Sequence, residues 1–92
     1  MTERSLTGCF ATSKAGHDKD KLYVIVAQEG DTLYLCDGRL KRFDSPKKKS
    51  RKHIQPIHTT IRKDLLDRLL SGEALRDEEI KYEIKQYSGS AE

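Results

Sequence analysis

The most continuous apolar run in the chain is Leu22, Tyr23, Val24, Ile25, Val26 and Ala27. It is rich in β-branched residues and carries no charge, as a strand buried on both faces does. Alternation divides it into two apolar faces, Leu22/Val24/Val26 and Tyr23/Ile25. Such a strand is expected at the centre of a sheet, one face filling a barrel interior and the other needing a cover. Thr32–Cys36 reads as its partner, and Glu29-Gly30-Asp31 is short enough for a hairpin. Upstream, Leu6–Ser13 mixes small, apolar and hydroxyl residues and reads as a first strand, and Gly8 marks a bend or a close backbone approach. A polar turn, Lys14–Lys21, separates the two.

Downstream, Asp37-Gly38 is a tight-turn pair. Arg39-Leu40-Lys41-Arg42-Phe43 alternates basic and apolar residues, which predicts a short strand with one wet, positive face. Asp44-Ser45-Pro46 breaks it, and Lys47–Ser50 reads as a solvated basic loop. Arg51–Ile57 is a candidate last strand, placed at an edge because Pro56 cannot donate to a ladder. Five short strands with tight turns in about 50 residues predict a mainly β chain, a small and strongly bent sheet or barrel.

The period then changes. Ile61, Leu65 and Leu69, flanked by Leu66 and Leu70, form one apolar stripe of a helix over 60–71, with Thr59 or Thr60 as its cap and Gly72 as its end. Asp77 is a candidate cap for a second helix, with Glu78 and Glu79 in its first turn and Ile80, Ile84 and Tyr87 along its apolar edge. The expected organisation is a barrel over 1–58 and a helical extension over 59–92 packed on it.

At 92 residues the chain is expected to form one domain with a modest core. Apolar residues are 35% and charged residues 36%, a lean balance that still supports folding because the apolar residues cluster. No apolar run reaches membrane-spanning length and no signal-peptide pattern opens the chain, so a cytoplasmic location is expected. Cys9 and Cys36 lack CxxC spacing and read as reduced, buried thiols.

The charge is unevenly distributed. The net charge is only +3, but residues 39–58 hold Arg39, Lys41, Arg42, Lys47, Lys48, Lys49, Arg51 and Lys52 against Asp44 alone, a local +7. Residues 1–38 and 59–92 each carry −2. A single lysine run is commonly just a solvated face. Eight cations within fourteen residues of an otherwise acidic chain point instead to a polyanion, since Lys and Arg neutralise phosphates and release counterions. If 39–42 and 47–52 paired, they would form one continuous positive surface. Tyr23, Tyr34, Phe43 and His53 are candidates for stacking on RNA bases, Phe43 and His53 foremost because they lie within the basic stretch.

Catalysis finds little support. Walker, GxSxG and HExxH motifs are absent, and Cys9, Cys36, His17, His53 and His58 lack the paired spacing of a zinc site. No enzyme activity, metal or cofactor is expected.

Residues Gly8–Val26, with a strand, a glycine-containing basic loop and an apolar strand in succession, resemble the KOW motif. Leu35-Cys36-Asp37-Gly38 and the basic segment after it look like KOW-bearing ribosomal proteins of the archaeal and eukaryotic large subunit, and the similarity is greatest to small bacterial KOW-domain RNA-binding proteins. The resemblance covers about residues 6–57, and the helical tail is similar to the extension of those bacterial proteins. It implies an SH3-like barrel that contacts ribosomal RNA, with the first loop touching RNA through Lys14, Gly16, His17, Lys19 and Lys21. Asp20 stands where the family's loop carries a glycine, and Asp18 and Asp20 dilute the loop's charge, so 39–53 carries more of the expected contact.

The expectation is a non-enzymatic RNA-binding module, monomeric when free and not bound to membranes. Its partner is ribosomal RNA above other RNA, with ribosomal proteins beside it. The alternative is a protein-interaction adaptor of the transcription or translation machinery, which would leave an apolar stripe exposed at Leu66, Leu70, Ile80 or Ile84.

Overall fold

The apolar run at 22–27 does become the middle of the sheet. The computed structural model describes residues 5–14 and 21–89. Among these, strands β1 (Cys9–Ser13), β2 (Leu22–Glu29), β3 (Thr32–Cys36), β4 (Lys47–Ser50) and β5 (Ile54–Thr60) form one antiparallel sheet in the order β4-β3-β2-β1-β5. Helices α1 (Lys63–Leu70) and α2 (Asp77–Gly89) follow. Glu29 pairs with Thr32 across a two-residue hairpin loop, Gly30-Asp31.

The sheet has to curl. Its edge strands β4 and β5 are joined only by a 3-10 turn at Arg51–His53. In a flat five-stranded sheet the edges lie about 19 Å apart, whereas four Cα–Cα steps from Ser50 to Ile54 span at most about 15 Å. The turn is tied to both sides of the gap: Arg51 N donates to Asp31 O at 2.7 Å, and Lys14 N donates to His53 O at 3.0 Å. Register shifts at Cys9/Phe10 and at Ile25/Ala27 sharpen the bend. The result is a small SH3-like barrel, mainly β, with two C-terminal helices.

Alternation along the strands separates two cores. Inside the curl lie Leu6, Cys9, Ala11, Tyr23, Ile25, Leu33, Leu35 and Ile54. On the outer face Phe10, Val24, Val26 and Cys36 meet Ile61, Leu65, Leu69, Leu75 and Ile80. The helices are therefore the cover that the second apolar face of β2 requires. Phe10 and Tyr87 stack with ring centroids 4.6 Å apart, which fastens the end of α2 to β1. Gly8 supplies the close approach: its N–H donates to Ile25 O, its carbonyl accepts from Ile61 N, and it takes φ +91° with the Leu66 side chain where a Cβ would go.

Four local expectations are corrected. Residues 39–43 form a turn rather than a strand, because Asp37 Oδ1 accepts from Arg39 N (2.8 Å) and Lys41 N (2.9 Å) while Lys41 O accepts from Asp37 N and Gly38 N. Residues 47–50 are strand β4 rather than a loop, since β3 provides a ladder for them. The last strand starts at Ile54 and continues to Thr60, which pairs with Cys9, so neither Thr59 nor Thr60 caps α1. Pro56 does stand on an edge strand, opposite Ala11.

The fourth correction concerns the caps. The N-cap of α1 is Arg62, whose N–H is satisfied from α2 by Glu83 Oε1 at 3.0 Å. Gly72 ends α1 as expected: Gly72 N donates to Leu69 O and Glu73 N to Arg68 O, a Schellman pair. Asp77 turns its carboxylate away from α2. Glu79 reaches back to Arg76 N at 2.9 Å instead, half of a capping box. Glu79 also takes Arg68 Nη1 at 2.8 Å, and this bond, followed by the one to Arg76, holds its carboxyl below the usual range.

Candidate nucleic-acid interface

Lysines 47–49 form a strand despite poor intrinsic preference because they pair with the apolar residues of β3. Lys47 lies opposite Leu35, Lys48 opposite Tyr34 and Lys49 opposite Leu33. Cross-strand partners share a face, so the run divides. Lys47 and Lys49 lie half-buried on the inner face, and Lys48 lies exposed on the outer one. Burial, then the neighbouring charge of Lys49, lowers the Lys47 ammonium below its ordinary pKa. Lys48 Nζ sits 5.9 Å from the Tyr34 ring centroid, over the ring. The Tyr34 hydroxyl donates to Glu29 Oε1 at 2.9 Å, and that bond, with lesser help from burial and from the charge of Glu29, raises the phenol's pKa.

The 3-10 turn continues the positive edge. Arg51, Lys52 and His53 are all exposed. The bond from Lys14 N to His53 O brings the end of β1 beside them. Lys14, Arg51 and Lys52 line one shallow groove of about 440 Å³ with Ser50, Gln55 and Pro56. Among the described residues, Asp31 is the one carboxylate in that lining. Chain segments far apart in sequence therefore place Lys14, Arg51 and Lys52 around one groove, and the adjoining strand adds Lys48 on its outer face and Lys49 on its inner one.

The rest of the expected surface lies elsewhere. Arg39, Lys41 and Arg42 stand on the 37–46 turn, at the end of β3 where Lys47, rather than Ser50, is the nearer part of β4. Arg42 Nε donates to Asp77 Oδ2 at 3.0 Å, so this cation already has an anion. Arg39 and Lys21 line a different groove, along α2. His17 and Lys19 lie outside the described residues. The single continuous surface expected from 39–53 is thus two separate regions, because the 39–43 turn does not pair with β4.

The stacking candidates divide as well. Tyr23 is in the inner core, Phe43 is packed half-buried against the outer core, and Tyr34 lies under Lys48. His53 alone of the four is exposed. Neither cysteine is placed for chemistry. Cys9 and Cys36 are buried and form no disulfide, and burial, followed by the charges of Asp77, Asp37 and Asp44, pushes the Cys36 thiol up to about 12.

The sequence reading missed the partner of Arg42. The signal was available only as Asp77 itself, which read equally well as a helix cap. It also missed that Lys81 and Lys85 of α2 join Arg39 in one lining. Set against known proteins, the chain matches no family model and no curated protein.

Proposed function

We propose that this chain is a non-enzymatic RNA-binding module that holds a phosphate backbone along β4 and the 3-10 turn. The observation that carries the reading is the convergence of Lys14 with Arg51 and Lys52 on one open groove, next to the lysines of the edge strand β4. Lysines on an edge strand have a plainer use, since they protect the edge from pairing with other chains. That use accounts for 47–49. It does not account for Arg51 and Lys52 on the turn, or for Lys14 brought to them from β1. A backbone-binding surface accounts for all of them.

The resemblance of Gly8–Val26 to the KOW motif supports ribosomal RNA as the RNA, in the cytoplasm, with ribosomal proteins as neighbours. The SH3-like fold is what that resemblance implies. The adaptor reading has less support from the helices, because Ile80 is buried, Leu66 and Ile84 are half-buried, and of its four residues only Leu70 is exposed.

The test compares binding of a labelled ribosomal RNA fragment by the natural chain and by Lys48→Glu/Arg51→Glu/Lys52→Glu, with circular dichroism to confirm the fold. All three side chains are exposed, so the variant is expected to fold and to lose RNA affinity by about a hundredfold or more. Equal affinity in a folded variant would remove this surface from the account.

A further inference from the structure

A second feature lies on the helical side of the barrel. The 37–41 turn, the start of β2 and one stripe of α2 enclose a groove of about 830 Å³. Its apolar lining is Leu22, Leu40, Tyr82 and Ile84. Leu40 is 77% exposed and Tyr82 52%, the first and third most exposed of the large apolar residues described. An isolated exposed leucine means little, but here the exposed apolar groups share one concavity.

Cations surround it. Lys21, Arg39, Lys81 and Lys85 line the groove against Asp37 and Glu78. Lys81 and Lys85 are one helical turn apart, so they stand on one stripe of α2. The Asp37 carboxylate already accepts two backbone N–H groups, from Arg39 and Lys41. The wall that carries Leu40 is fixed in place. Gly38, at φ +80°, packs so closely on α2 that a Cβ there would lie 2.5 Å from Asp77 O and 2.6 Å from Lys81 Cγ. Asp77 also holds the turn through Phe43 N at 2.8 Å. A leucine displayed on a rigid turn binds without the cost of ordering a loop.

We propose that this groove is a second binding site, and that its occupant is an acidic protein segment bearing aliphatic or aromatic side chains. The charge of the lining selects an anion, and its aliphatic side chains, Leu22, Leu40 and Ile84, favour a protein segment over a nucleic acid, whose bases stack on aromatic faces. The site is independent of the RNA surface, since Lys48, Arg51 and Lys52 take no part in it.

The experiment uses the full chain, isotopically labelled, and follows amide shifts as peptides are added. The probe is a peptide of about twelve residues alternating glutamate with leucine and phenylalanine. Its controls carry lysine for glutamate, or serine for the apolar residues. Shifts centred on Leu22, Arg39, Leu40, Lys81 and Lys85 with the acidic apolar peptide, and weaker binding of both controls, are expected. Leu40→Ser and Lys85→Glu should each weaken the acidic peptide by about tenfold while leaving the other amide shifts in place. Shifts elsewhere, no binding at about 1 mM peptide, or equal binding of the lysine control would overturn the proposal. So would two further results: oligouridine RNA shifting the groove where the peptide does not, or concentration-dependent dimerisation of the chain that Leu40→Ser abolishes, which would make the occupant a second copy.

Discussion

Asp77 and Arg42, 35 positions apart, form an ion pair of 3.0 Å between the first residue of α2 and the turn after β3. The other carboxylate oxygen of Asp77 accepts from Phe43 N. One aspartate thus docks the basic turn on the helix and partly offsets the charge of Arg42. The bond from Phe43, then that from Arg42, holds the Asp77 carboxyl below the usual range. A carboxyl depressed in the folded state adds stability above its unfolded pKa of about 3.9 and loses it as pH falls through the folded value. Asp77→Asn should therefore lower the melting temperature at pH 7, and the gap to the natural chain should close as pH falls below about 4. Thermal melts of both chains from pH 7 to pH 3 check this. A gap that does not change with pH would contradict it.

Gly8→Ala tests the crossing of β1 with α1. The residue holds φ +91°, and its missing Cβ leaves room for Leu66. The left-handed backbone alone costs an alanine about 1–2 kcal/mol, and displacing Leu66 adds to that. Urea unfolding should show a loss of about 2 kcal/mol or more. A loss under about 0.5 kcal/mol would mean the close packing is wrong.

Two leucines on α1 should behave oppositely. Leu65 is 1% exposed in the outer core, while Leu70 is 64% exposed. Leu65→Ala should cost about 2–5 kcal/mol and Leu70→Ala less than about 0.5 kcal/mol. Similar losses at both positions would show that α1 is rotated from the orientation described.

Thiol labelling checks the inner and outer cores together. Cys9 lies in one and Cys36 in the other, both buried. An aromatic disulfide reagent at pH 8 should leave both thiols unreacted until denaturant is added. Fast labelling of the folded chain would place one of them at the surface.

The fold was legible where apolar residues cluster. Leu22–Ala27 announced a central strand with two buried faces, and Ile61, Leu65 and Leu69 announced the stripe that covers one of them. Lys47–Ser50 was not legible, because three lysines in a row carry no alternation. Their strand exists only through pairing with Leu33–Leu35, a contact the local sequence does not encode. Arg39–Phe43 misled in the opposite direction: its start, Arg39-Leu40-Lys41, alternates like a strand, but the Asp37 carboxylate captures the backbone N–H groups of Arg39 and Lys41. The candidate interface shared both problems. Its cations were evident from composition, but the division into a β4 side and an α2 side followed from these two segments exchanging roles.

The salt dependence of RNA affinity counts the phosphate contacts directly. If Lys14, Lys48, Lys49, Arg51 and Lys52 neutralise about five phosphates, log K against log salt should fall with a slope of about −3.5 to −4.5. In Lys48→Glu/Arg51→Glu/Lys52→Glu, with about two contacts left, the slope should shrink to about −1.5. The same slope in both chains, or a slope near zero in the natural one, would contradict a phosphate-binding edge at β4 and the 3-10 turn.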